Sequence, residues 1–177
     1  MRADASGRDG SLLGPTLGTI LFVATVPGTV IGVVPYLLSG WRLQTALLGP
    51  ATRWIGAGLF LLALPLFLDF LVRFVRDGRG TPAPVAAPQH LVVSGAFRYV
   101  RNPGYVAVLS MVAGQGLFFG STAILAYAFW LALGFHLFVL FYEEPTLRRR
   151  FGEEYAAYCR RVPRWLPRVA GERTSSE

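Results

Sequence analysis

Four long apolar blocks constrain this chain more than any other feature of its sequence. They cover approximately residues 15–38, 53–75, 103–119 and 122–142. Each is close to the length that a helix needs to cross the hydrocarbon core of a bilayer, about 20 residues. The blocks therefore predict an all-α, polytopic membrane protein with about four transmembrane helices.

The composition agrees with a membrane protein rather than a soluble globule. Of the 177 residues, 53% are hydrophobic and only 15% are charged. We interpret the chain as a single domain, residues 1–177, that begins with a mobile N-terminus at residues 1–14. Two spans follow within residues 15–76, then a functional core at residues 89–168 and a mobile tail at residues 169–177.

The arginines indicate how the spans are oriented. All 17 basic residues are arginines, and the net charge is +7. A basic chain can bind nucleic acid, but these arginines flank the apolar blocks, where they contact lipid headgroups instead. With four spans, only Arg42 and Arg53 lie on one side, so the positive-inside rule assigns the other side to the cytoplasm. We expect a bacterial inner-membrane protein with cytoplasmic termini and no nucleic-acid partner.

A pair of charged residues inside the second block has two interpretations. Asp69 and Arg73 have i,i+4 spacing, so they can pair on one face of a helix. Charges within a membrane normally indicate function. This pair lies near the end of the block, however, where long side chains can reach the interface and act as structural anchors.

A tight turn predicts where the polar groups of the chain meet. Only Gly120 and Ser121 separate the third and fourth blocks, which predicts an antiparallel helical hairpin. The residues before and after this hairpin must then be neighbours at one membrane face. Arg101 is therefore expected to lie close to Glu143 and Glu144.

Such a site has the chemistry to bind an amino acid and an aromatic base. Two carboxylates can hold a cationic amine, and Arg98 and Arg101 can hold a carboxylate through bidentate hydrogen bonds. Aromatic side chains can line a slot for a purine; these are Phe97, Tyr99, Tyr105 and Tyr142. Alternatively, the two glutamates only form ion pairs with Arg148 and Arg149.

The segment after the fourth block is amphipathic and contains the only cysteine. Apolar side chains recur there at helical spacing, namely Leu147, Phe151, Tyr155 and Tyr158. This pattern predicts a helix at the membrane surface that ends before Pro163. We interpret Cys159 as a free thiol, since no second cysteine exists to form a disulfide.

Two sequence runs around the predicted site carry a resemblance to a known family. The runs are LVVSGAFRYVRNPGY at residues 91–105 and EEPTLRRRFGEEYAAYCRRVPRWLPR at residues 143–168. Over residues 89–168 the chain resembles the isoprenylcysteine carboxyl methyltransferase family and its phospholipid N-methyltransferase relatives. The resemblance implies S-adenosylmethionine as methyl donor and S-adenosylhomocysteine as product. It also implies a lipophilic acceptor, a carboxylate or an amine, that enters from the membrane lipids.

The resemblance further implies which residues form the site. Cofactor-binding positions are Gln89, His90, Leu91, Val92, Gly95, Tyr99, Arg101, Asn102, Pro103, Tyr105, Glu143 and Glu144. Arg101 and Glu144 are the candidates to orient the acceptor. Arg164, Trp165 and Arg168 match the terminal run that closes the site on the substrate side. Many members have histidine at the position of Asn102, and asparagine cannot titrate near neutral pH.

Three further features leave alternatives open. His136 lies about two helical turns before Glu143, so it either faces the substrate side or is a packed, hydrogen-bonded histidine. The run at residues 114–116, Gly-Gln-Gly, resembles a glycine motif of some phospholipid methyltransferases, but helix packing explains it equally well. His90 and His136 are far apart in sequence and no metal-ligand cluster occurs, so we expect no metal.

Two other functions compete with methyl transfer. Reductases of sterol-like double bonds, which use NADPH, share a similar R-x-x-R-H-P-N-Y segment. They typically continue with a polar Gly-Glu pair, whereas Tyr105 is followed here by Val106, Ala107 and Val108. The second alternative is a non-catalytic four-span scaffold or partner subunit.

Overall fold

The computed structural model describes residues 25–77 and 91–166, with residues 74–77 described as backbone only. Within these ranges every regular element is helical, which confirms the predicted all-α membrane fold. The helices are α1 (Thr25–Ser39), α2 (Ala51–Asp77), α3 (Pro103–Phe119), α4 (Thr122–Phe138) and α5 (Glu144–Arg161). A 3-10 turn, Gly95–Arg98, precedes α3, and a π-helical turn, Val139–Glu143, joins α4 to α5.

Two helical stretches are long and apolar enough to cross a membrane. They are Ala51–Arg73 within α2 and the continuous stretch Thr122–Arg161. Only 17% of the most apolar window of each is buried, so their apolar side chains face outward, as expected in lipid and not in a soluble core. α1 and α3 are also apolar but shorter. The predicted mobile termini, residues 78–90 and the first part of the first block lie outside the described residues.

Close contact between two glycines sets the distance between α2 and α3. A Cβ atom on Gly56 would lie 2.5 Å from the carbonyl oxygen of Gly114, and one on Gly114 would lie 2.7 Å from that of Gly56. Any larger residue would separate the helices. A Cβ atom on Gly116 would similarly lie 2.6 Å from the side chain of Leu125 in α4. Helix packing therefore accounts for the glycines of the Gly-Gln-Gly run.

The residue between those glycines attaches α1 to the hairpin. α1 contains a π-helical turn, Thr29–Val33, and such a turn departs from the regular pattern of α-helical hydrogen bonds. Gln115 donates its side-chain amide to the carbonyl of Ile31 at 2.8 Å, and the Tyr127 hydroxyl donates to that of Val30 at 3.3 Å. Carbonyl groups at membrane depth need partners within the protein, and these two side chains supply them.

The predicted hairpin and amphipathic helix are both confirmed. Gly120 ends α3 with a left-handed backbone, φ 72°, and the hydroxyl of Ser121 accepts from the backbone N–H of Ile124 to cap α4. α5 bends at Gly152, where φ is 51° and ψ is −124°, and ends at Arg161. Leu147, Phe151, Tyr155 and Tyr158 on its inner face form a cluster of buried and half-buried side chains with Leu91 and Val162.

Candidate active site

Two segments that are distant in sequence meet at the open end of the α3–α4 hairpin. We call them the first motif segment, residues 91–105, and the C-terminal segment, residues 162–166. The backbone N–H of Arg101 donates to the carbonyl of Pro163 at 2.9 Å. The side-chain amide of Asn102 donates to the carbonyl of Arg164 at 3.1 Å. These bonds hold the second segment across the start of α3.

Glu144 lies at the centre of a group of arginines. Its Oε1 is 3.0 Å from Arg101 Nη1 and 2.6 Å from Arg164 Nε, while its Oε2 is 3.0 Å from Arg164 Nη2. The side chains of Glu144 and Arg101 are only 7% and 12% exposed. We call these three residues the arginine–glutamate cluster. The expected proximity of Arg101 and Glu144 is thus confirmed.

The alternative pairing with exposed arginines is present only in part. Arg148 Nη2 lies 3.8 Å from Glu144 Oε2, but the Arg148 side chain is 64% exposed. Arg149 donates instead to the hydroxyl of Thr146. The partly solvated contact with Arg148 is a minor one, because exposed pairs contribute about 0–1 kcal/mol.

The cluster holds more positive than negative charge. One carboxylate faces two guanidinium groups, and the hydrogen bonds of Glu144 raise the pKa of Arg164 above its ordinary value, so this charge persists at any working pH. The Nε of Arg101 is buried and has no hydrogen-bond partner among the described residues. Buried donors are nearly always paired, so this atom fits an acceptor that is supplied by a ligand.

The adjacent carboxylate has different surroundings. Glu143 Oε2 accepts the hydroxyl of Tyr105 at 3.0 Å, and the Tyr105 ring packs against Phe135 with centroids 4.6 Å apart. No arginine in the described part of the chain lies within ion-pair distance of Glu143. The site therefore contains one carboxylate that arginines neutralise and one that can accept a cation.

The charged pair inside α2 anchors the first motif segment. Asp69 Oδ1 accepts from Arg73 Nε at 2.8 Å, which confirms the predicted pairing. Asp69 Oδ2 also accepts from the backbone N–H of Ala96, and Arg73 Nη1 donates to the hydroxyl of Ser94. Gly95 packs directly on the Arg73 guanidinium, where a Cβ atom would lie 1.7 Å from Nε. These contacts favour the interpretation of Asp69 and Arg73 as structural anchors.

An open pocket of about 350 Å³ lies beside the cluster, between α3 and α4. Its lining residues are Val106, Leu109, Ser110, Ala132, His136, Trp165 and Leu166. The indole Nε1–H of Trp165 donates to His136 Nδ1 at 3.1 Å. His136 is therefore hydrogen-bonded and also borders the pocket, so the structure agrees with both interpretations of this residue.

The structure brings only part of the predicted site together. The polar residues that meet are Arg101, Asn102, Tyr105, Glu143, Glu144 and Arg164. Pro103 is buried in the first turn of α3, Val92 is buried, and Leu91 packs against the tyrosine cluster of α5. Tyr99 is 64% exposed and Arg98 is exposed, so both point away from the cluster. Gln89, His90 and Arg168 lie outside the described residues.

The four aromatic side chains of the predicted purine slot have separate surroundings, and the slot itself stays a prediction. Phe97 packs against Phe70 with ring centroids 6.2 Å apart, and Tyr142 packs against Phe138 at 5.1 Å. Together with the exposure of Tyr99, these contacts separate the four side chains, and no two of their rings pair in the described ranges. The sequence pattern could not reveal this, because apolar neighbours in α2 and α4 compete for the same rings.

Sequence reasoning missed the thiol at the centre of the site. Arg101 Nη1, which also bonds Glu144, donates to Cys159 Sγ at 2.8 Å. Cys159 follows Tyr155 by four residues, so helical spacing places both on the same buried face of α5. That spacing is the signal that could have identified it. Residues 25–77 and 91–166 contain no group of three or more side chains suited to hold a metal ion.

Comparison with known proteins identifies the family of this chain. A family model described as phospholipid methyltransferase matches residues 52–154, more than half of the chain. The matched range extends from the start of α2 into α5 and contains both Arg101 and Glu144. No curated protein and no solved structure matches the chain. The extent of the family match shows that the chain belongs to the phospholipid methyltransferase family.

Proposed function

We propose that this chain transfers a methyl group from S-adenosylmethionine to the carboxylate or amine of a lipophilic acceptor. The reaction takes place at the cytoplasmic face of a bacterial inner membrane. Membership of a methyltransferase family supports the reaction type. The arginine–glutamate cluster is the observation that supports S-adenosylmethionine as the methyl donor. In this cluster the buried Arg101 Nε has no hydrogen-bond partner among the described residues.

The residues at the open end of the hairpin fit the amino-acid portion of S-adenosylmethionine. Its carboxylate suits Arg101, which offers an unused donor in surroundings with surplus positive charge. Its ammonium suits Glu143, whose one hydrogen bond within the described ranges comes from the Tyr105 hydroxyl. Glu144 holds both arginines in place before the ligand arrives, which reduces the ordering that binding must supply.

The protein has little acid–base chemistry to perform in such a reaction. When bound, S-adenosylmethionine supplies a methyl group on a positively charged sulfur; the acceptor lone pair bonds to that carbon while the carbon–sulfur electron pair stays on sulfur. A carboxylate acceptor loses no proton, and an amine must only be unprotonated. Arg101, Glu143 and Glu144 therefore act by orienting the reactants, and good positioning can supply about 7–11 kcal/mol of the barrier reduction.

Calorimetric titration of the detergent-solubilised protein with S-adenosylhomocysteine and with NADPH tests the proposal. The wild type should bind the first and not the second. Arg101→Gln should weaken binding of S-adenosylhomocysteine about 10–100-fold, because a charged hydrogen bond contributes about 1.5–3 kcal/mol. Glu144 keeps its two bonds to Arg164 in this variant, so the fold should persist.

Arg149→Gln is the matched control, because it removes the same charge from an exposed position of α5. Its affinity should equal that of the wild type. NADPH binding without S-adenosylhomocysteine binding would favour the reductase alternative. Equal affinities of the Arg101→Gln and wild-type proteins would remove the cluster from the proposed cofactor site.

A further inference from the structure

The pocket between α3 and α4 adjoins the arginine–glutamate cluster but is chemically distinct from it. Trp165 borders the pocket and directly follows Arg164, and Val106 borders it and directly follows Tyr105. Most of the lining is apolar, so the pocket suits a hydrocarbon chain. The polar groups of the lining are the Ser110 hydroxyl, the His136 imidazole and the Trp165 indole.

The contact with Trp165 determines which hydrogen bond His136 can make in the pocket. An indole N–H only donates, so His136 Nδ1 must be the acceptor in this 3.1 Å bond. An imidazole whose Nδ1 accepts is neutral and carries its proton on Nε2. With Nδ1 occupied as an acceptor, His136 offers Nε2–H as its hydrogen-bond donor.

The residues that line the pocket include no carboxylate to form an ion pair with a cationic headgroup. Glu143 lies seven residues from His136, about 10 Å further along the helix. Arg164 directly precedes Trp165 of the lining, and the arginine–glutamate cluster to which it belongs carries surplus positive charge. The fixed donor of His136 favours an oxygen anion over an ammonium group.

We propose that this pocket binds a long-chain carboxylate, whose oxygen accepts the Nε2–H of His136 and whose chain lies against α3 and α4. Trp165 is a positioning residue, because it fixes the tautomer of His136. The inference rests on the proposed function, which leaves a carboxylate and an amine open as acceptors, and it selects the carboxylate.

Photolabelling measures this binding without any methyl transfer. The probes are a diazirine-bearing palmitic acid and the amine of the same chain length, each applied to the purified protein, with mass spectrometry to locate the adducts. The acid should label peptides that contain Val106–Ser110 and His136, and unlabelled palmitate should compete. The amine should label these peptides about tenfold less, the ratio expected from one charge-assisted hydrogen bond.

Two substitutions of His136 test the role of its donor. His136→Gln keeps both functions, since its amide oxygen can accept from Trp165 while its NH₂ group donates, so labelling by the acid should persist. His136→Leu should reduce labelling by the acid about tenfold and leave labelling by the amine unchanged. Unchanged labelling of His136→Leu by the acid would overturn the proposal.

Trp165→Phe keeps an aromatic wall but removes the N–H that fixes the tautomer. The ratio of acid to amine labelling should fall about threefold or more, whereas a purely structural role would lower both signals equally. Trp130→Phe is the control, because Trp130 is 65% exposed on α4 and does not line the pocket. The comparison of Trp165→Phe with Trp130→Phe tests the carboxylate pocket even if His136→Leu does not fold.

Failure of this inference can be distinguished from failure of the proposed function. Equal labelling by both probes, or labelling that palmitate does not compete, would overturn the carboxylate pocket while S-adenosylhomocysteine still binds in calorimetry. Absence of S-adenosylhomocysteine binding would overturn the proposed function, whatever the labelling result.

Discussion

The two ends of the α3–α4 hairpin are closed by different chemistry. The turn is closed mainly by backbone groups: Gly120 adopts a left-handed conformation, and the N–H of Gln44 donates to the carbonyl of Phe119. One uncharged side chain, the Ser121 hydroxyl, caps α4. At the open end, side chains from three segments converge, and several of them are charged and buried. The turn closes the chain without any buried charge.

The difference indicates which end binds a ligand. Buried ion pairs add little stability, because removing charges from water offsets most of their attraction. Closing the hairpin therefore does not explain why Arg101 and Glu144 are buried together. Substitutions at the turn should change the free energy of unfolding and leave ligand affinity unchanged. Substitutions at the open end of carboxylates that form no ion pair should lower ligand affinity and leave the free energy of unfolding unchanged.

The largest effect is expected at the turn, for Gly120→Ala. A left-handed backbone costs an L-residue about 1–2 kcal/mol. The new Cβ atom would also lie 2.5 Å from the carbonyl oxygen of Thr45, and overpacking costs about 1–3 kcal/mol. The free energy of unfolding in detergent should fall by about 2–5 kcal/mol, while the folded fraction keeps its S-adenosylhomocysteine affinity. Gly134→Ala is the control, with open space around its Cβ position; equal destabilisation of both would contradict the argument.

The next effect is expected at the open end, for Glu143→Gln. Glutamine retains an acceptor for the Tyr105 hydroxyl but loses the negative charge, so stability should not change. Affinity for S-adenosylhomocysteine, measured by calorimetry, should fall about tenfold, or about 1.4 kcal/mol. Glu153→Gln makes the same change at an exposed position of α5. Affinity that is unchanged in both variants would favour the scaffold alternative.

The smallest effect is expected for Ser121→Ala. Loss of the hydroxyl that accepts the N–H of Ile124 should lower the free energy of unfolding by about 1 kcal/mol, the usual contribution of a helix cap. Thermal unfolding followed by circular dichroism can measure this against Thr122→Ala, an exposed neighbour. A loss of ligand affinity in Ser121→Ala would show that the two ends are coupled.

The parts of the fold that the sequence predicts are those that short-range rules determine. A connection of two residues, Gly120 and Ser121, allows only an antiparallel hairpin, and that geometry alone brings Arg101 to Glu144. Helical spacing also places Tyr155 and Tyr158 on the buried face of α5. In these cases one local pattern has one spatial consequence.

The remaining features depend on contacts that no sequence period encodes. Hydropathy cannot distinguish the π-helical turn Val139–Glu143 from regular helix, because both are equally apolar. The bond between Trp165 and His136 joins residues 29 positions apart in different segments. Tyr99 lies within the run that resembles the family and is predicted to bind the cofactor, but it is exposed; a sequence run records residue types and not directions.

The bend at Gly152 determines whether the C-terminal segment can cover the site. Thr122–Arg161 is a continuous stretch of 40 residues, which as a straight helix would extend about 60 Å, roughly twice the thickness of the hydrocarbon core. Trp165 would then stand far out in water, remote from His136. One pair of backbone torsion angles at a residue without a side chain instead returns the chain to the membrane face. Space is open around a Cβ atom at this position, so the backbone angles alone require glycine, and a relative with another residue here would need a different way to cover the same region.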